Sequence, residues 1–337
     1  MFLMKDNKDI NIVLLVGGTS PERQVSKSSG LSIFKALNNL GYKVHVIDPA
    51  YGKSQPENVN DFFAEKDFAP VNNRNYIEAL NSNAFDNVDI VFLGLHGKWG
   101  EDGSIQSLLE LRSIKYTGSN ILSSAMAMDK ITSKILFQHF GVNTPKWIAL
   151  NSNPPNIDLL KKDIISKLGY PCVVKPNDQG STVGLTICNS DKELDDALKL
   201  ASQFADKILI EEFIHGHEVT VGILDNIAFP PLEIKPKHGI YDYECKYTHG
   251  MSEYEVPANF PDEVKSELQS QALKAFEAIE CNVYARIDFR VSNDYKIYCL
   301  EVNSLPGMTS TSLVPKMAKA VGISFEELID KIIKLSL

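Results

Sequence analysis

Apolar residues fill positions 12–16 without a break, and the run stops at Gly17 and Gly18. A run this short, bounded by turn residues, reads as a strand buried on both faces rather than as a helix. Behind it, Leu31, Phe34, Ala36 and Leu37 recur at helical spacing as far as Gly41, which supplies a stop signal. Further strands are expected over 43–48 and 88–93. Between them the segment 49–71 is rich in Asn, Asp, Pro and Lys and reads as a surface excursion. Strand, helix, strand in this order predicts a parallel sheet covered by helices.

The pattern changes near Ser124. A helix is expected with Ile131, Ile135, Leu136 and Phe140 on its buried face and Gly141 at its end, which leaves Asp129, Lys130 and Lys134 as solvated helix charges. Pro145, Pro154 and Pro155 mark loops. Strands over 172–175 and 185–188 joined by a polar, glycine-containing loop, a helix over 192–204 and a strand over 207–211 make a small α+β unit. From about Phe213 follow a strand over 219–224, a long polar loop, a helix over 264–279, a strand pair within 285–302 and a terminal helical region. The fold class is thus mixed, α/β at the start and α+β beyond.

Composition narrows the function. The chain has 337 residues, 44% hydrophobic and 23% charged, the profile of a soluble globular protein of two or three domains. Lys and Arg total 34 against 43 Asp and Glu, and the net charge of −9 disfavours nucleic acid and anionic membranes as partners. The first ten residues lack the apolar core of a signal peptide, and no run approaches the ~18 apolar residues of a membrane span. Five widely spaced cysteines, an odd number with no C-x-x-C pair, argue against a disulfide framework and a thiolate zinc site and point to a reducing cytosol.

Candidate chemistry concentrates near the end. Arg286 and Asp288 share one face of a strand, Glu301 and Asn303 share one face of the next, and a Ser292-Asn293-Asp294 turn makes the strands antiparallel neighbours. Two carboxylates and an amide oxygen converge there, a hard-oxygen set suited to Mg²⁺ with waters and phosphates completing its shell. A solvated strand face is the bland alternative, but the hydroxyls and glycine of 304–313 have little structural need beside such a face. Lys175 precedes a loop running to Gly184 with two glycines and two hydroxyls, either a backbone cradle for phosphate or an ordinary hairpin turn. Its spacing is not that of a P-loop, and no protein-kinase signature accompanies it. Gly17 to Ser26 sits where a dinucleotide fingerprint would, with Asp48 as the ribose carboxylate, yet it lacks G-x-G-x-x-G and carries Glu22 and Arg23 where small residues are needed. His96, just past the third strand, lies where α/β sheets bind ligands, or is a satisfied turn histidine.

Taken in order, Gly17 to Arg23, His96 to Gly103, Tyr116 to Ser119, Met128 to Lys130, Val174 to Pro176, Gly180 to Gly184, Arg286 to Asp288 and Glu301 to Thr309 resemble the D-alanine–D-alanine ligases of the ATP-grasp superfamily, across nearly the whole chain. The resemblance implies a three-domain ATP-grasp architecture: an N-terminal parallel α/β domain over 1–124, a central subdomain over 125–212 and a C-terminal one over 213–337, with ATP between the last two. It implies Lys130, Lys175 and Lys246 as ATP-binding lysines under the Gly180 to Gly184 loop, adenine received by backbone groups of Glu211, Glu212 and Ile214, and the ribose held by Glu218. Asp288, Glu301 and Asn303 match the family's ligands for two Mg²⁺ ions, with Mn²⁺ able to substitute.

The implied reaction moves the γ-phosphoryl group of ATP to the carboxylate of one D-alanine, and the amine of a second then attacks the acyl phosphate. Arg286 and the Gly307 backbone would stabilise the oxyanion, Glu22 would bind the first ammonium with His96 nearby, and Ser312 and Leu313 would contact the second substrate. Tyr247 would join Ser181 and Glu22 in a hydrogen-bond network and favours D-alanine over D-lactate as second substrate; Thr182 replaces the commoner second serine but keeps the hydroxyl. A D-alanine–D-lactate or D-alanine–D-serine ligase, to which His249 near Tyr247 is relevant, is the same-fold alternative. A nucleotide-binding regulatory protein is the alternative of another class, disfavoured by the intact lysine, arginine and metal-ligand set. Family habit adds a cytoplasmic homodimer in peptidoglycan synthesis.

Overall fold

A computed structural model of the chain describes residues 6–152, 157–237 and 250–337. Pro154, Pro155, Cys245, Lys246, Tyr247 and His249 lie outside the described residues. The first sheet is parallel, in the order β2-β1-β3, from β1 (Asn11–Leu15), β2 (Lys43–Ile47) and β3 (Ile90–Leu93). Helix α1 (Arg23–Asn39) turns Ile33, Ala36 and Leu37 inward, as helical spacing requires.

The segment after β2 is more than a surface excursion. Tyr51 and Phe62 are buried, and the Asp67 carboxylate pairs with Lys27 at 2.7 Å and Arg23 at 2.8 Å. Its polarity serves buried cations as well as solvent. Helices α2 (Asn75–Leu80), α3 (Ser104–Leu111) and α4 (Ile121–Met128) follow.

Asp129 separates α4 from α5 (Lys130–His139) and caps the latter, accepting from the Thr132 N–H at 2.8 Å. The buried face of α5 is not the expected one. Ile135 and Phe140 are 52% and 55% exposed, while Lys130, Ser133, Lys134 and Phe137 point inward. Lys130 and Lys134 are therefore buried charges rather than solvated ones.

A second sheet, antiparallel in the order β4-β7-β5-β6, joins β4 (Trp147–Asn151), β5 (Cys172–Pro176), β6 (Thr186–Cys188) and β7 (Lys207–Glu212), with α6 (Ile157–Lys167) and α7 (Leu194–Ala201) packed on it. The third sheet contains β8 (Gly216–Leu224), β9 (Ile227–Ala228), β10 (Leu232–Pro236), β11 (Ser252–Glu255), β12 (Tyr284–Ser292) and β13 (Ile297–Asn303). Phe137 of α5 and Leu268, Ala272 and Phe276 of α8 (Asp262–Ala278) share a core with β8, β12 and β13.

The chain end returns to its beginning. Met317 of α9 (Leu313–Ala320) and Leu328, Ile329, Ile332 and Ile333 of α10 (Phe325–Ser336) share one core with β1 to β3, and the Tyr42 hydroxyl donates to Asp330 at 2.7 Å. Ser324 and Glu327 form a capping box that starts α10. Among the described residues Cys172, Cys188, Cys281 and Cys299 are buried free thiols, and no helix is long and apolar enough to cross a membrane.

Candidate active site

The β12–β13 hairpin sets the register. Arg286 lies opposite Asn303 and Asp288 opposite Glu301; the pairing then slips, Phe289 meeting Cys299, so that Leu300 is a bulge beside Glu301. Asp288 Oδ1 accepts from Thr220 Oγ1 at 2.7 Å and Arg286 Nε at 2.9 Å, and Oδ2 from Arg286 Nη2 at 2.8 Å and Asn303 Nδ2 at 3.0 Å. The Asn303 NH₂ also donates to the Arg286 carbonyl, so the amide oxygen is the atom of this side chain that could hold a cation. Glu301 pairs with Lys130 at 3.2 Å. Among the described residues no three of His, Cys, Asp and Glu gather into a metal cluster; this face offers two carboxylates and an amide.

Across from it, Lys175 lies one residue before the end of β5 and is ion-paired with Glu211 near the end of β7. The second Glu211 oxygen lies 2.8 Å from Lys134. Burial alone would raise the Glu211 carboxyl, but the charges of Lys134 and Lys175 outweigh it and hold the group at about 2. Burial also pulls the Lys134 ammonium below its ordinary range. The loop after β5 is anchored to the start of α5: Lys130 Nζ donates to the Gln179 carbonyl at 2.8 Å, and the Ile131 N–H donates to Asn177 Oδ1 at 2.8 Å.

At the loop tip Ser181 and Thr182 have φ of 49° and 60°, left-handed values uncommon for such residues. This turn carries the Ser181 hydroxyl to Glu22, 2.5 Å away. Two glycines make room for that carboxylate, since a Cβ on Gly97 or Gly180 would stand 2.7 or 2.9 Å from Glu22 Oε2. His96 is buried beside them. Its Nδ1 is 3.0 Å from the Leu305 carbonyl, which can only accept, so Nδ1 carries a proton; Nε2 meets Ser29 Oγ at 3.0 Å. Burial opposes a charge on His96, but Glu101, 3.6 Å away, and Glu22 raise its pKa nonetheless. Burial, with Glu22 adding its charge, also lifts the Glu101 carboxyl.

These groups line two clefts. The first, between the second and third sheets, receives Lys130, Lys175, Glu211, Glu212, Ile214, Glu218 and Asp288. The second, between the start of α1 and the segment after β13, receives Glu22, His96, Arg286, Asn303, Gly307, Ser312 and Leu313. Gly180, Ser181 and Glu301 line both. Ammonium groups and carboxylates in the first suit a polyanion carried with a divalent cation. Glu22 and Arg286 in the second suit the two ends of an amino-acid zwitterion.

Three polar residues of the site stand out only in the structure, and one of them, Lys134, reads in the sequence as a solvated charge. Lys134, Thr220 and Arg290 are buried or half-buried polar residues at unremarkable positions, and Arg290 donates to the Ile214 and Gly216 carbonyls at 3.0 and 2.9 Å, holding the link between β7 and β8. Alternation with Arg286 and Asp288 along β12 was the available signal for Arg290. Asp48 proves to be structural: its Oδ1 accepts from the Gly18 and Ala50 N–H groups, both at 3.0 Å, and Oδ2 pairs with Arg23 at 2.7 Å, which withdraws it from any ribose.

The sequence matches the family model "D-ala D-ala ligase N-terminus" over residues 11–119 and "D-ala D-ala ligase C-terminus" over 136–334. A D-alanine–D-alanine ligase of Syntrophotalea carbinolica is 42% identical over 322 residues, 96% of this chain and 94% of that one. The fold resembles a crystal structure of the D-alanine–D-alanine ligase of Bacillus anthracis complexed with ATP, with a TM-score of 0.78 and 34% identity over 97% of both chains. It also resembles the VanG D-Ala:D-Ser ligase of Enterococcus faecalis, with a TM-score of 0.80 and 29% identity over 97% of this chain and 99% of that one.

Proposed function

The chain belongs to the D-alanine–D-alanine ligase family, and from that premise we propose that it joins two D-alanines at the expense of ATP, giving D-alanyl-D-alanine, ADP and phosphate for peptidoglycan synthesis. The observation that carries this reading is the meeting of a polyanion cleft and a zwitterion cleft at Ser181 and Glu301. A carboxylate oxygen is a poor leaving group and phosphate a good one. Moving the γ-phosphoryl group onto the first D-alanine therefore prepares its carbonyl for the second amine, which displaces phosphate.

Phosphoryl transfer is mostly positioning and charge neutralisation. Lys130 and Lys175 take the phosphates beneath the Gly180 to Gly184 loop, backbone groups of Glu211, Glu212 and Ile214 receive adenine, and Glu218 holds the ribose. Asp288, Glu301 and Asn303 fit Mg²⁺ or Mn²⁺, because all are hard oxygen donors and both carboxylates already attract cationic side chains, Arg286 and Lys130. The ions, when bound, supply charge neutralisation on the phosphate oxygens. Glu22 takes the first ammonium, oriented by Ser181 and, from outside the described residues, Tyr247; Lys246, also outside them, adds a phosphate contact. His96 closes the same subsite.

Arg286 and the Gly307 N–H stabilise the oxyanion as the second amine adds, and Ser312 and Leu313 contact that second substrate. D-Alanine is preferred to D-serine or D-lactate there, in line with the 42% identical relative. A cytoplasmic homodimer completes the reading. Replacing Lys175 or Glu301 by alanine is expected to abolish phosphate release that depends on both ATP and D-alanine; undiminished release by either variant overturns the roles given.

A further inference from the structure

Lys134 lines neither cleft, and its side chain is fully buried, yet it is tied to the nucleotide side of the site. Glu211 lies between two ammonium groups, Lys134 on one oxygen and Lys175 on the other. Of the two, Lys175 reaches the cleft. Lys134 is fixed in place: Nζ also donates to Thr144 Oγ1 at 2.7 Å, and that hydroxyl donates to the Cys299 carbonyl at 2.8 Å, two residues before Glu301 on β13. The cluster thus holds two positive charges against one negative, all withdrawn from water.

A buried carboxylate stripped of its partner is strongly destabilising, so Glu211 would hold on to a sole lysine and deny it to a phosphate. We propose that Lys134 is a positioning residue for nucleotide binding: it keeps Glu211 neutralised and so releases the Lys175 ammonium to the phosphates. The cluster's surplus positive charge is then the charge the nucleotide meets. This inference rests on the reading that Lys175 contacts the phosphates.

The test is calorimetric titration of the folded variants with an ATP analogue carrying a methylene bridge between the β- and γ-phosphorus atoms, beside steady-state kinetics. Lys134→Met is expected to weaken analogue binding by about tenfold or more while the KM for D-alanine stays within about twofold. The Lys134→Met/Glu211→Gln double variant is expected to regain most of the loss, because it removes the carboxylate together with its counter-ion. A purely structural lysine predicts the reverse, a double variant no better than the single one. Unchanged binding by Lys134→Met, or no recovery in the double variant, overturns the proposal. Should Lys134→Met fail to fold, Glu211→Gln alone is decisive: it is expected to bind the analogue about threefold tighter, and weaker binding contradicts the proposal. Lys175→Ala runs alongside; if it keeps full analogue affinity, the assignment of Lys175 to the phosphates is what fails.

Discussion

Glu22 occupies a gap shaped for a carboxylate, with Gly97 on one side, Gly180 on the other and the Ser181 hydroxyl bonded to it at 2.5 Å. A hydrogen bond to a charged group contributes about 1.5–3 kcal/mol, so losing it while keeping the fold should be felt in catalysis. Ser181→Ala is expected to lower kcat/KM for D-alanine by roughly 10- to 100-fold, with the melting temperature little changed. An unaltered kcat/KM in steady-state assays would separate Ser181 from the work of Glu22. Singly, such residues were only partly legible. Glu22 and Arg23 stood out as charges in a glycine-rich turn, but Lys134 did not, since hydropathy assigns a lysine to solvent and cannot register the buried Glu211 awaiting it.

Among the elements, the β12–β13 hairpin was the most legible, because period two and a short turn dictate which side chains stand together. Its slip at Leu300 was not, since a bulge leaves no mark in an alternating pattern. Helix α5 misled for a physical reason: its inner face is set by Lys130 and Lys134, one turn apart and both ion-paired, so Ile135 and Phe140 were left outside. The corrected face makes a stability prediction. Phe137→Ala, at a fully buried site, is expected to cost about 3–5 kcal/mol in urea unfolding, whereas Ile135→Ala should stay within about 0.5 kcal/mol. Comparable losses from both would restore the original face. The segment after β2 misled in the same manner, its Asp67 serving Arg23 and Lys27 rather than water.

For the whole molecule, the net charge of −9 argues against large polyanions, yet the ligand is a small one, ATP. The two agree because the Lys130 and Lys175 ammoniums are local and buried, while screening limits the acidic exterior to a range of ~8 Å. What the sequence pattern could not reveal at this scale is closure: α10 packs on the first sheet, so the chain's two ends share a core and the second cleft draws on both. That both clefts serve one ligation is a chemical claim. Its most direct test is to incubate the protein with ATP, Mg²⁺ and D-alanine, with D-lactate or D-serine offered in parallel, and to identify the products by mass spectrometry. D-Alanyl-D-alanine formed in step with ADP and phosphate is the predicted result; ATP bound without any dipeptide, or a product only from D-lactate or D-serine, would contradict it.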